Sequence, residues 1–468
     1  TAGHTSLSAA RSVVQNANIT ATGTGKTVDL LADASITMGA GAIIGTQDGS
    51  VVLTAGSGNV TLESITAGSA NVAVTAGGSI VDRDTAGDSV VDIAAAGLIL
   101  NAGTGIGEGA NHLETSVSTL TANAGAGGLY ITEANGVTVN SLTVAINRVA
   151  TDASVPGTGS GSATVTQEDL SATGAGNLVL VSALGDIEVN AGLTAGGISL
   201  QTGNSLIEAT SGALTFTAAM AATGGHISLK AASTLSQGVD GDISTNGAGS
   251  IGVQANAISM ADGASSSTGT GNIRYAAVST LTLGALSTAG DVSLSASSIA
   301  DAGAAGTDSV NVTADELRLV TTGVASGNGV GTGANHLEVN VTRLAGNIQG
   351  TGTGGLYVSE SNGLEVGTLN AINVNQVGVD GFVTATTDAA QSNLSSASNL
   401  VLVTLAGSLE SMSAGGAIST AGNVLLQAVG ATSDITLGAA LSNTAGHTSL
   451  SAARSVVQNA NITATGTG

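Results

Sequence analysis

Short words in which apolar residues alternate with small or polar ones recur along the whole chain: HTSLSA, TVDLLA, SVVLTA, NVAVTA, VVDIAA, HISLKA, DVSLSA and NVLLQA. Alternation with a period of two puts successive side chains on opposite faces of a strand, so each word predicts a β-strand with one buried face. Leu7, Leu30, Leu53, Val74 and Ile93 hold equivalent places in five of these words, at intervals of 23, 23, 21 and 19 residues. Shorter words, SVVQ, NITA, SITM and AIIG, fall between them. About three short strands per turn of roughly 19–24 residues is the spacing of a parallel β-helix.

Gly, Asn, Asp and Ser fill the intervals, in pieces such as AGSGN, TAGG and AGAGN, where tight corners need positive φ or side-chain bonds to the backbone. A helical reading fails because Gly punctuates most of the chain and each would cost a helix about 1 kcal/mol. The longest Gly-free stretches are 137–156 and 382–406. Both follow a GLY word and are more variable than their surroundings, so excursions of loops or lateral strands are expected near 137–156 and 371–398, with a short helix as the alternative in the second. The one proline, Pro156, lies in the first.

Comparison of the chain with itself shows two further levels of repetition. Residues 1–25, TAGHTSLSAARSVVQNANITATGTG, recur unchanged at 444–468, a shift of 443. Within that unit a diverged duplication runs at about half the shift. Gly3-His4 is matched by Gly225-His226, GANHLE at 109–114 by 333–338, GLY at 128–130 by 355–357, and NLVLV at 177–181 by 399–403. The chain therefore divides into a first half-repeat at 1–221, a second at 222–443 and the start of the next unit at 444–468, all in one continuous rod without a separate globular domain. At roughly 20 turns spaced by about 4.8 Å, one unit is close to 95 Å long.

Composition narrows the class of protein. Hydrophobic residues reach 42 %, too many for disorder, but aromatics are only 1 %, so the core is a narrow one of Ala, Val, Ile and Leu. No run approaches the roughly 18 apolar residues that span a bilayer. There is no initiating Met and no charged-then-apolar leader, so both ends read as cuts within a longer chain. A formal charge of −23 repels nucleic acid and anionic membranes, and its scattered acids read as a self-repelling, soluble surface. The absence of Cys removes disulfides and thiolate metal sites.

Candidate chemistry is sparse. His4, His226 and His447 begin equivalent strands, and His112 and His336 sit in the two GANHLE words beside Glu114 and Glu338, with no second His at ligand spacing. They read as corner or solvent-facing residues. Asp82 and Asp84 in VDRD, Asp240 and Asp242 in VDGDIS, and Asp301 match neither a nonapeptide calcium repeat nor an EF-hand loop, and read as hydrated corners. A β-helix enzyme acting on polysaccharide would need facing carboxylates, basic residues and aromatic rings. With two Phe, three Tyr and nine basic residues dispersed along the chain, no catalytic site is expected. Tyr130 and Tyr357 are repeat equivalents, as packing residues would be. Thr20, Thr22 and Thr24, with Thr351 and Thr353, are fragments of an ice-binding row that neighbouring turns do not continue. The glycines from Gly103 to Gly109 lie outside any strand-then-helix unit.

The words GNVTL, GHISL, GDVSL and GNVLL, each followed by a small-residue corner and a further SI or DI word, resemble the filamentous-haemagglutinin-like repeat regions of large exported bacterial adhesins. The resemblance implies an all-β, right-handed parallel β-helix (β-solenoid) with a few lateral loops. It also implies an extracellular or cell-surface location, an outer-membrane exporter, and a role in attachment, biofilm or cell contact. Expected partners are further copies of the repeat, neighbouring filaments and surface glycans; no cofactor is expected. The alternative to an inert shaft is glycan or filament binding through the lateral loops.

Overall fold

In a computed structural model the chain is all-β, with parallel strands stacked in about 19 turns of a β-solenoid. The structure describes residues 3–84, 87, 89–149, 154–155, 162–194, 196–304 and 309–466, so Pro156 lies outside the described residues. Two compact units are distinguished: Thr1–Ala232 with Val377–Val383, and Ser233–Gln376 with Thr384–Gly468. Among the described residues no helix is long and apolar enough to cross a membrane.

In the first unit the alternating words become one internal ladder. Leu7, Leu30, Leu53, Val74, Leu100, Ala122 and Leu170 are Cα partners on successive turns. From Leu30 onward each is fully buried, and burying a side chain of this size stabilises by roughly 1.5–3 kcal/mol. The fifth expected member, Ile93, is displaced. Val74 pairs with Leu100, whereas Ile93 pairs with Ile65 and Thr115 in a neighbouring ladder. The sequence around 83–91 is an insertion that lengthens this turn to 26 residues, so an extrapolated spacing lands on the wrong strand.

The shared GLY words have a backbone cause. Gly128 and Gly355 have φ of 88° and 145°, and a Cβ on either would come within 2.7 and 2.5 Å of the carbonyl oxygen of Asn177 and of Asn399. Only glycine fits both the angle and the approach of the next turn.

The two excursions are lateral hairpins, and the second contains no helix. Leu142–Asn147 pairs antiparallel with Ser162–Gln167, and Ile372–Val377 forms a two-stranded sheet with Val383–Asp388. Both leave the stack at the same place: Ala122 pairs with Leu170 and Gly346 with Leu394, a step of 48 residues in each half. These detours explain why the chain makes fewer turns than uniform spacing predicts. Re-entry is made by Asp169 and Asn393, the residues before those partners, at φ of 64° and 68°, a left-handed conformation that short polar side chains tolerate.

The first hairpin lies across five turns. Its Val144 and Ile146 are buried against Val52, Ala73 and Ile99, which point outward from successive strands. Further along, Asn147 N donates to Thr27 Oγ1 at 3.1 Å, and Thr27 Oγ1 donates to Asn147 O at 3.2 Å. Arg148 donates through Nε to Asp29 Oδ2 at 2.5 Å and through Nη2 to Oδ1 at 3.3 Å. In the second unit the stem buries Ile372 and Val374 too, but the outward positions that fasten it are polar. Asn375 N donates to Ser250 Oγ, and Asp388 accepts from Arg274 Nε at 3.0 Å and Ser293 Oγ at 2.6 Å.

Because the Asp29 side chain is only 2 % exposed, Arg148→Ala leaves a buried carboxylate without its counter-charge, a loss that typically costs about 3–5 kcal/mol. Urea denaturation should show a lowered midpoint for Arg148→Ala, and Arg148→Ala with Asp29→Ser should recover most of it.

Candidate functional site

The polar groups the sequence singles out come together at corners, and in both halves they meet the same partners. His112 Nδ1 lies 2.8 Å from Thr132 Oγ1, and His336 Nδ1 lies 2.8 Å from Ser359 Oγ. The rings of His112 and Tyr130 are 5.9 Å apart and tilted by 45°; those of His336 and Tyr357 are 6.0 Å apart and tilted by 39°. His112 also places Nε2 at 2.9 Å from Val379 O. A carbonyl can only accept, so Nε2 carries the proton and Nδ1 accepts from the threonine. Burial holds His112 and His336 below the usual histidine range, so both are neutral struts at pH 7.

The remaining histidines are strand starters. His4 accepts from Thr27 N at 3.0 Å, while the backbone N–H groups of His226 and His447 donate to Asn204 and Asn423. Asp240 and Asp242 are exposed, and Asp242 accepts from Ser265 N and Oγ at 2.8 Å each. The threonine fragments do not form a row: Thr20 pairs with Gly45 and Thr24 with Gln47. Thr351 donates to Val324 O instead.

Asp82 departs from the hydrated-corner expectation, because it is 5 % exposed and sits in a buried cluster with Asp92 and Glu114. One carboxylate oxygen from each lies within 4.8 Å of the other two, an arrangement that could hold a cation. The second half contains its near copy, Asp301, Asn311 and Glu338. In both, an asparagine closes the corner: Asn111 Nδ2 donates to Asp82 Oδ2 at 2.6 Å and Asn335 Nδ2 to Asp301 Oδ2 at 2.7 Å. In both, the glutamate's backbone N–H donates to the middle residue, to Asp92 Oδ2 at 2.9 Å or Asn311 Oδ1 at 3.0 Å.

The difference between the clusters is one atom. Asn311 Nδ2 donates to Asp301 Oδ1 at 2.6 Å, whereas the corresponding Asp92 Oδ1, inside a residue only 1 % exposed, has no donor. An amide nitrogen cannot ligate a cation, yet it fits this slot. A protonated carboxyl has the same shape and the same donor. Burial, then the neighbouring charges of Asp82 and Glu114, push Asp92 up to about 9, against the opposing bond from Glu114 N. The first cluster is thus held together by a proton where the second uses an amide.

Two further acids were not singled out by sequence. Glu133 and Glu360 are fully buried and occupy interior ladder positions, Glu133 beside Thr115 and Glu360 beside Val339. Glu133 accepts from Thr115 Oγ1 and from Val117 N and Asn135 N; Glu360 accepts from Val341 N and Asn362 N. Burial raises each to about 7 against those bonds. They supply acceptors to backbone groups at a corner where the ladder is interrupted. The available signal was their shared sixth place in GLYITE and GLYVSE.

Beside His112, still within the first unit, is a cleft of about 450 Å³ walled largely by Val91, Val181, Leu184 and Val379, with Glu114 and Thr132 as its polar edge. No protein-family model matches the chain, and no curated protein and no solved structure matches it either.

The pH dependence follows from these acids. A carboxyl raised above its unfolded value of about 4 contributes stability that is complete below that value and is lost as pH rises through the folded one. Above the histidine range, where the lowered His112 and His336 no longer add an opposing rise, thermal midpoints should therefore fall from pH 7 to pH 9, through about 7 for Glu133 and Glu360 and about 9 for Asp92. Asp92→Asn should raise the midpoint at pH 8 and flatten the upper part of the curve. Millimolar calcium should leave both proteins unchanged; a calcium-dependent rise in the wild type that Asp92→Asn abolishes would replace the proton with a cation.

Proposed function

We propose that the chain is a non-catalytic structural shaft of a large exported cell-surface fibre or adhesin, giving length to an attachment, biofilm or cell-contact structure. The observation that carries this reading is the duplication of its polar chemistry. His112 and His336, Tyr130 and Tyr357, and Glu133 and Glu360 recur with the half-repeat and are spent on equivalent contacts inside the fold. A binding or catalytic pocket depends on side chains that differ from their surroundings, whereas a shaft tolerates copying. The exported location rests on the likeness of the GNVTL-type words to filamentous-haemagglutinin-like repeats.

A second reading has one specific observation in its favour. The outer face of the first hairpin, with Thr143, Thr164 and Thr166, is exposed and polar, a surface suited to hydroxyl-rich ligands or a neighbouring filament.

An antibody against the chain should label intact cells that make the protein; labelling only after permeabilisation would contradict a surface location. Purified chain should show no saturable binding on glycan arrays and release no sugar from acidic polysaccharides. Saturable binding that disappears when 142–167 is deleted would replace the inert shaft with the second reading.

A further inference from the structure

The outward face of the first unit contains a run of apolar residues where water-facing ones are the rule. Tyr130, Val179 and Leu206 are partners on successive turns, followed by Ser228. They are buried, Tyr130 to 8 % exposure and the others completely, because Val377 packs on them. The covering segment is also tied down by polar bonds. Val377 N donates to Ser228 Oγ at 2.8 Å, and Gly381 O accepts from Asn177 Nδ2 and Asn204 Nδ2 at 3.3 and 3.4 Å.

The second unit repeats this platform residue for residue. Tyr357, Val401, Leu425 and Ser449 are partners on successive turns. Asn399 Nδ2 donates to Tyr357 OH at 3.0 Å, as Asn177 Nδ2 does to Tyr130 OH at 3.1 Å. Asn423 N donates to Asn399 Oδ1 at 2.9 Å, as Asn204 N does to Asn177 Oδ1. Val401 and Leu425 are nevertheless part-exposed, where Val179 and Leu206 are not. The sequence bears the same mark in both places: Leu400-Val401-Leu402 and Val424-Leu425-Leu426 are unbroken apolar runs, a pattern that fits strands covered on both faces.

The covering segment is duplicated too. Asn375 exchanges bonds with Ser250 Oγ through both N and O, as Asn147 does with Thr27 Oγ1. Two residues beyond each asparagine is a valine. Val377 is 1 % exposed, and Val149 is 51 % exposed. One platform is filled by its valine, and one platform and one valine are left over.

We propose that the face formed by Tyr357, Val401 and Leu425 is a docking platform for the Asn147–Val149 segment of a second, following copy of the 443-residue unit. The identity of 444–468 with 1–25 supports this occupant, because it makes Ser449 of one copy the same turn as Ser6 of the next. In this chain Ser6 is the partner of Asp29, which binds Arg148. Successive units are thereby locked by the same hairpin reach that covers Tyr130. The inference goes beyond the shaft reading and holds for any protein that carries the unit in tandem.

The test uses a tandem protein in which residues 1–443 precede the full chain. With Leu425→Cys in the first copy and Val149→Cys in the second, mild oxidation should give an intramolecular disulfide, seen as a reducible shift in gel mobility. Its yield should be comparable to that of the control pair Leu206→Cys and Val377→Cys. Hydrogen exchange without any substitution gives a second readout: amides of 399–428 in the first copy should be slower in the tandem than in the single chain. A cross-linked control with no tandem cross-link, and equal exchange in both proteins, would overturn the proposal.

Discussion

The structure depends on in-register hydrogen bonding between parallel turns. Each strand has its N–H and C=O groups satisfied by the strands above and below it, so register is not negotiable within the stack. Like side chains are then forced on top of like, which is why Leu30, Leu53, Val74 and Leu100 form one column. Extra residues have nowhere to go except a corner or a sideways excursion. The 26-residue turn that displaces Ile93 is the first solution, and the hairpin at 142–167 is the second.

Excursions solve one problem and pose another, because a hairpin has faces of its own to bury. The first one meets apolar outward residues, Val52, Ala73 and Ile99. The stem of the second meets Ser250, Arg274 and Ser293. Both stems bury apolar side chains, Val144 and Ile146 or Ile372 and Val374, and it is the outward positions beneath them that have diverged. The buried acids obey a similar economy: Asp92 and Asn311 differ by a single atom, and Asn311 offers its neighbouring aspartate a donor at any pH, whereas Asp92 offers one only while it keeps its proton.

Much of this was legible in the residues. Alternation predicted the strands, and the recurrence of GANHLE and GLY placed equivalent corners in both halves. The excursions were visible as Gly-free variable stretches. Other features required the fold, for stated reasons. Ile93 looks like the next ladder member because sequence spacing carries no information about which turn absorbed an insertion. Asp82 looks hydrated because nothing local shows that Asp92 and Glu114 converge on it from later strands. The covered outer faces did leave a trace. Val51-Val52-Leu53, Val72-Ala73-Val74 and Leu98-Ile99-Leu100 break the alternation with a third apolar residue, which an uncovered strand would not need.

The first hairpin also changes how its turns respond to force. Turns joined only by backbone bonds can be peeled apart one at a time, since each strand is short and its bonds load in sequence. A crosspiece fastened to Asp29 at one end and packed on Ile99 at the other cannot be passed by peeling. Opening any of the turns beneath it means sliding the hairpin off its neighbours as well. Tension is therefore shared among five turns, and that stretch of the solenoid yields as a block.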